Sequence, residues 1–145
     1  MKQMKLAAGV LATIAALSMT GCASGLNSAQ KAELREYEAK GVVVQEKNPT
    51  AGAALGLLPG GGSFYGREYG LGVVNLLFWP LSILWDPISG HDASEAINYH
   101  ATKASLEKAH EEHLTVLDDD LAAGKIDLTQ YTLEKRKLDK KFDVN

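Results

Sequence analysis

The sequence predicts a mainly α fold, and three observations support this prediction. Apolar residues recur at helical spacing in two C-terminal segments. Gly41 and Gly124 stand where such helices would end. The β-prone run 42–44 is too short to define a sheet. In chain order we expect a signal peptide, a short N-terminal helix, a Gly-rich apolar helical hairpin and a C-terminal antiparallel helical hairpin.

The boundaries of the predicted helices follow from their capping residues. Asn27 or Ser28 is a suitable N-cap for a helix that runs to about Lys40. Asp92, with Glu95 three residues later, predicts the start of a long helix over about 93–123. A last helix is expected over about 130–142, and the short connection before it favours antiparallel packing.

The N-terminal segment has the order of an export signal. A basic start at 1–5 precedes an apolar run at 6–17 that is too short to span a bilayer, and small residues precede Cys22. This order resembles the lipobox of bacterial lipoproteins. The resemblance implies cleavage between Gly21 and Cys22 and acylation of the Cys22 thiol, so that membrane lipid becomes a partner of the protein. The alternative is an ordinary secretory signal that leaves a free thiol.

The residue after the cysteine carries further information under this resemblance. In Gram-negative lipoproteins an Asp there is associated with retention in the inner membrane. Ala23 therefore implies the outer membrane, facing the periplasm. The expected segments are a signal peptide (1–21), an acylated N-terminus with a short helix and linker (22–49), an apolar hairpin (50–90) and an amphipathic helical hairpin (91–145).

Length and charge limit the functional classes. Removal of residues 1–21 leaves 124 of the 145 residues, enough for one small domain. It also removes two lysines, which changes the net charge from −3 to −5. An acidic chain without a concentration of cations is unsuited to nucleic acid. With a single cysteine, no internal disulfide can form.

Segment 50–90 has an unusual composition. Pro59 and three glycines form a turn, an aromatic pair follows, and residues 71–88 are almost wholly apolar, with Asn75, Ser82 and Asp86 as the exceptions. This pattern resembles the TM-two membrane hairpin. The predicted membrane-contact residues are Phe64, Tyr65, Trp79 and Trp85, and the predicted turn glycines are Gly60, Gly61, Gly62, Gly66 and Gly70.

The length of this segment leaves three arrangements open. Residues 71–84 form at most about 21 Å of helix, whereas a full span needs about 20 apolar residues. The segment either inserts part-way as an interfacial hairpin, forms the buried core of a soluble domain, or spans the membrane as a tilted pair.

The sequence contains few candidates for a metal-binding or catalytic site. His110 and His113 lie at i and i+3 and are weak metal-ligand candidates, with His100 as a possible third ligand. Both lie on the apolar stripe, so protonation is expected to loosen the hairpin. The glycines lack the Lys-Ser/Thr of a phosphate loop, and no catalytic constellation is evident. We therefore predict a protein that is not an enzyme and has no cofactor.

The C-terminal region has a resemblance of its own. Gly124, Ile126, Tyr131, Lys135 and Leu138 match the pattern of the SHOCT domain. That family implies docking to an envelope protein or self-association. The prediction is a lipid-anchored envelope lipoprotein of structural, scaffolding or interaction type. The alternative is a carrier of a lipid or small hydrophobic ligand, and a metal-binding protein is a further one.

Overall fold

The computed structural model describes residues 25–142, and this part of the chain is helical without strands. The mainly α prediction is confirmed. The α-helices are α1 (Ser28–Lys40), α2 (Pro49–Leu55), α3 (Gly61–Tyr65), α4 (Tyr69–Leu77), α5 (Asp86–Ala122) and α6 (Leu128–Phe142), with a 3₁₀ turn at Leu81–Leu84.

The described residues divide into two compact units. Unit 1 consists of residues 25–29 and 45–98, and therefore contains α2, α3, α4, the 3₁₀ turn and the beginning of α5. Unit 2 consists of residues 30–44 and 99–142, and contains most of α1, the remainder of α5, and α6.

The first helix has the predicted bounds. It begins at Ser28 and ends at Lys40, and Gly41 follows with φ of +68°. A left-handed residue at this position is a common way to end a helix, and glycine adopts it without steric strain. The β-prone run after Gly41 forms no strand; instead, the Val44 N–H donates to Thr102 Oγ1 at 2.9 Å.

The long helix α5 begins earlier than its predicted cap. It starts at Asp86, so Asp92 and Glu95 lie inside the helix and do not form a capping box at its start. Pro87 does not prevent this start, because the first turn of a helix has no intrahelical use for the missing N–H. The helix ends at Ala122, shortly before Gly124 with φ of +68°.

Unit 2 contains the predicted antiparallel hairpin. Its last helix is capped by a reciprocal pair in which the Gln130 N–H donates to Asp127 Oδ1 and the Asp127 N–H donates to Gln130 Oε1. Tyr131 reaches Asp118 near the turn, while Asp139 meets His110 further from it. These two pairings run in opposite chain directions, as an antiparallel hairpin requires.

Unit 1 is held together by close backbone contacts at glycines. A Cβ placed on Gly52 of α2 would lie 2.3 Å from Gly90 O of α5, and one on Gly90 would lie 2.5 Å from Gly52 O. One turn along α2, a Cβ on Gly56 would lie 2.3 Å from Pro87 N. Helices can approach this closely only where side chains are missing, as is common between helices in membranes.

Candidate functional site

A cluster of buried polar side chains lies at the centre of unit 1. Ser63 and Asp86 are 0 % exposed and Asn75 is 1 % exposed. Asp86 Oδ1 accepts hydrogen bonds from Ser63 Oγ at 2.5 Å and from Asn75 Nδ2 at 2.7 Å. Asn75 Nδ2 also donates to Ser63 Oγ at 2.9 Å. We call these three residues the polar cluster.

Backbone groups complete the polar cluster. The N–H groups of Gly62 and Ser63, in the first turn of α3, donate to the two carboxylate oxygens of Asp86 at 3.1 and 3.0 Å. Gly62 must be glycine here, since a Cβ on it would lie 2.5 Å from Asp86 O. These N–H groups have no partners within their own short helix, so Asp86 satisfies them from outside.

The geometry of the polar cluster favours a structural role over a catalytic one. A serine nucleophile needs a base and access to substrate. Ser63 bonds to a carboxylate and an amide, and its complete burial keeps a substrate away from the hydroxyl.

Unit 1 exposes many large apolar side chains. Twelve large side chains between positions 57 and 88 are 39 to 75 % exposed. We call this set the apolar surface, and it comprises Leu57, Leu58, Tyr69, Val73, Leu76, Leu77, Phe78, Trp79, Leu81, Leu84, Trp85 and Ile88. An apolar core formed from residues 71–88 is therefore not what the structure contains.

Polarity in this part of unit 1 is reversed relative to a water-soluble domain. The fully buried side chains include Asn75, Asp86, Ser63 and Ser82, while leucines, a phenylalanine and both tryptophans are exposed. Large exposed apolar patches mark sites of contact with membrane or protein, and twelve such side chains fall within 32 positions of the chain. Polar and ionisable groups that face inward under an apolar exterior are typical of proteins in lipid.

Trp85 belongs to the apolar surface and also bonds to the polar cluster. Its ring belongs to the apolar surface, whereas its Nε1–H donates to Asn75 Oδ1 at 2.8 Å. Tryptophan with one apolar side and one satisfied polar group is common at membrane interfaces.

The predicted membrane-contact residues separate into two pairs. Trp79 and Trp85 are exposed. Phe64 and Tyr65 are half-buried: the Phe64 ring lies 2.6 Å from where a Cβ on Gly72 would be, and Tyr65 OH accepts the Asn48 N–H at 3.0 Å.

The predicted turn glycines have different roles. Only Gly60 among them has a positive φ, of +68°. Gly61 and Gly62 lie inside α3, and Gly66 follows it, where a Cβ would lie 2.5 Å from Ala93 Cβ. Gly70 is exposed and has open space around it.

The two histidines of the metal hypothesis have other partners in unit 2. His110 Nε2 lies 3.0 Å from Asp139 Oδ1, and His113 Nδ1 lies 2.7 Å from the Ala109 carbonyl oxygen. Both rings pack on Phe142, with centroids 5.4 and 5.8 Å away. His110 thus faces a carboxylate and His113 a carbonyl oxygen, and the expected loosening of the hairpin stays a prediction.

A different group of potential ligand atoms lies in unit 1. His91, Asp92 and Glu95 each place one potential ligand atom within 4.8 Å of those of the other two. All three residues are partly exposed.

Unit 2 has an open groove between α5 and α6. Its volume is about 810 Å³, within the range of ligand-binding clefts. Its apolar residues are Val116, Leu117 and Leu138, and five acidic or basic side chains border them: Glu112, Asp120, Glu134, Lys137 and Lys141. This charged border suits an amphipathic segment better than a fully enclosed hydrophobic ligand.

The remaining predictions concern membrane spanning, cleavage, acylation and sorting. Within residues 25–142, no helix combines the length and the hydrophobicity that a membrane crossing requires. Gly21, Cys22 and Ala23, on which the predictions of cleavage, acylation and sorting rest, lie outside the described residues.

Comparisons with protein-family models, with curated proteins and with solved structures find no match to this chain.

Sequence reasoning did not identify Ser63, Asn75 and Asp86 as a cluster. The signal available was the presence of Asn75 and Asp86 in an otherwise apolar run. A polar residue in such a run must either break it or find a buried partner. The sequence alone did not supply that partner, because Ser63 is 23 residues away from Asp86.

Proposed function

We propose that this protein is a lipid-anchored envelope protein without catalytic activity, seated in the interfacial layer of a membrane through the apolar surface of unit 1. The α5–α6 hairpin of unit 2 then serves as its interaction or scaffolding element. The observation that supports this proposal is the apolar surface over the polar cluster.

Exposure of these apolar side chains to water is energetically unfavourable. Full burial of one leucine, phenylalanine or valine side chain contributes about 1.5–3 kcal/mol. Twelve partly exposed side chains on one unit make transfer into an apolar medium favourable. The side chains of the polar cluster, which would oppose transfer, are bonded to each other and to backbone N–H groups inside unit 1.

The charge distribution favours hydrophobic contact over electrostatic attraction. Between positions 57 and 88 the ionisable Asp, Glu, Lys and Arg residues are Arg67, Glu68 and the buried Asp86. Arg67 is paired with Glu46 at 2.9 Å. Membrane contact through this surface should therefore depend little on anionic lipid or on salt.

Vesicle binding followed by tryptophan fluorescence tests the proposal. Trp79 and Trp85 are the two tryptophans of the chain, and both belong to the apolar surface. For residues 22–145 carrying Cys22→Ser, we expect a blue-shifted emission on phosphatidylcholine vesicles and quenching by lipids with brominated chains.

Matched variants assign the contact to the apolar surface. Leu77→Ser and Leu84→Ser change two of its most exposed side chains and should weaken binding. Leu128→Ser changes a leucine of similar exposure in unit 2 and should leave binding unchanged. Emission and sedimentation that do not respond to vesicles would refute membrane contact. A stoichiometric lipid in native mass spectra would favour the carrier alternative instead.

A further inference from the structure

The described chain begins against Asp92 of α5. A Cβ on Gly25 would lie 3.4 Å from Asp92 Oδ2 and 3.5 Å from Asp92 Cβ. The following residue, Leu26, is 8 % exposed. The N-terminal end of the described chain is therefore held against α5 within unit 1.

Asp92 and Ile88, the one member of the apolar surface on α5, lie on the same face of that helix. Ile88, which is 64 % exposed, precedes Asp92 by four residues. Residues four apart lie on the same side of a helix and are about 6 Å apart along its axis. The chain thus leaves unit 1 one helical turn from an apolar side chain that faces outward.

The distance to the predicted acylation site is short. Cys22 precedes Gly25 by three residues. A chain of this length reaches at most about 11 Å when fully extended.

From these relations we propose that acylated Cys22 and the apolar surface form one two-point membrane anchor, with both points in the same leaflet. The Gly25–Asp92 contact fixes where the link from Cys22 joins unit 1. This inference rests on the proposed function and adds a coupling between its two membrane contacts. A single acyl chain alone gives only marginal, reversible binding, so the contribution of the apolar surface can be measured when Cys22 carries one chain. A short link makes the second membrane contact effectively intramolecular.

The single cysteine allows the coupling to be measured. Residues 22–145 are alkylated at the Cys22 thiol with one tetradecyl chain, and partition onto phosphatidylcholine vesicles is measured. We expect much stronger partition than for the unalkylated chain or for a tetradecyl-modified peptide of residues 22–27. Inserting roughly 20 Gly/Ser residues between Ser24 and Gly25 lengthens the link from three residues to about 23, and should weaken partition about 20-fold.

Two further variants serve as controls. The same insert after Lys125, in the exposed turn between α5 and α6, should leave partition unchanged. Asp92→Ala removes the side chain against which Gly25 lies and should weaken partition by a smaller factor than the N-terminal insert.

The outcomes separate this inference from the proposed function. If the unalkylated chain binds vesicles but the N-terminal insert has no effect, the two contacts are independent and the inference is wrong, while membrane contact stands. If the unalkylated chain stays off vesicles, or buries its tryptophans by dimerising in the absence of lipid, both proposals fail.

Discussion

Asp86 Oδ1 accepts the Ser63 hydroxyl at 2.5 Å, and both residues are completely buried beneath an exposed apolar surface. The two residues belong to different helices, α3 and α5. Their contact therefore fixes the start of the long helix relative to the short one. It also allows a carboxylate to lie inside a unit whose exterior is apolar.

Removing the Asp86 carboxylate should unfold or loosen unit 1. Asp86→Ala leaves the N–H groups of Gly62 and Ser63 and the Ser63 hydroxyl without their acceptor, and removes one of the two acceptors of Asn75 Nδ2. Each buried hydrogen-bond donor left without an acceptor costs about 1–3 kcal/mol. Chemical denaturation in mild detergent, followed by tryptophan emission, measures this loss in unit 1.

A conservative variant and a surface variant calibrate this prediction. Asp86→Asn keeps one acceptor oxygen and should cost less than Asp86→Ala. Asp119→Ala, at an exposed position, should change the free energy of unfolding by less than about 0.5 kcal/mol. Equal effects of Asp86→Ala and Asp119→Ala would show that the polar cluster does not stabilise the unit.

The glycine contact between α2 and α5 should not tolerate a methyl group. Gly52→Ala and Gly90→Ala each place a Cβ within 2.5 Å of the facing backbone oxygen. Overpacking of this kind costs about 1–3 kcal/mol or separates the helices. The midpoint of denaturation read by tryptophan emission should fall for both variants.

Gly70→Ala is the matched control for these substitutions. Gly70 lies in α4 with no atom within 4 Å of an added Cβ. Alanine there should be neutral or stabilising by up to about 1 kcal/mol, since it favours the helix. A loss of stability at Gly70→Ala similar to that of Gly52→Ala would show that the effect at Gly52 does not come from close packing, because alanine at an open helical position should not destabilise.

Elements determined by local signals were predictable from the sequence, and contacts between distant residues were not. Gly41 and Gly124 ended their helices as predicted, because a left-handed glycine after the last turn is a local feature. The predicted cap at Asp92 was wrong, because tertiary contacts to Asp86 begin the helix earlier. Likewise, the close approach at Gly52 and Gly90 joins positions 38 residues apart.

Gly124 should be sensitive to substitution for a different reason. Its φ of +68° disfavours any residue with a Cβ, although no neighbouring atom lies within 4 Å. We expect Gly124→Ala to destabilise the hairpin by about 1–2 kcal/mol. Amide hydrogen exchange in α6 measures the effect, and Ala123→Gly, at the neighbouring exposed position, is a control expected to change exchange less.

The stability of α1 in unit 2 should depend on pH at both extremes. One Glu33 oxygen accepts Tyr37 OH at 2.6 Å and the other accepts Tyr99 OH at 2.7 Å. These hydrogen bonds, from Tyr37 first and then Tyr99, lower the pKa of Glu33 below its ordinary 4.5. The hydrogen bond to Glu33, with burial, raises the pKa of Tyr99 from 10.0 to about 12.

Glu33 stops contributing to stability at acid pH, and Tyr99 stops contributing at alkaline pH. Because the folded pKa of Glu33 is lowered, its contribution is present above pH 4.5 and is lost as the pH falls through the folded pKa. Because the folded pKa of Tyr99 is raised, its contribution is present below pH 10 and is lost as the pH rises from 10 through about 12. Hydrogen exchange of α1 amides, corrected for intrinsic rates, should therefore accelerate in both ranges.

Phenylalanine variants distinguish this network from general acid or alkaline unfolding. Tyr99→Phe removes the Tyr99 phenol and one of the two donors to Glu33. The loss of protection in α1 should therefore be smaller at both alkaline and acid pH. Tyr131→Phe removes a phenol whose pKa is raised by its hydrogen bond to Asp118 in the exposed part of the hairpin, and it should leave α1 unaffected. If this network is responsible, Tyr99→Phe must not leave the exchange rates of the α1 amides unchanged at both acid and alkaline pH. An unchanged result would mean that the hydrogen bonds of Glu33 with Tyr37 and Tyr99 do not stabilise α1, and that the pH dependence arises from other groups.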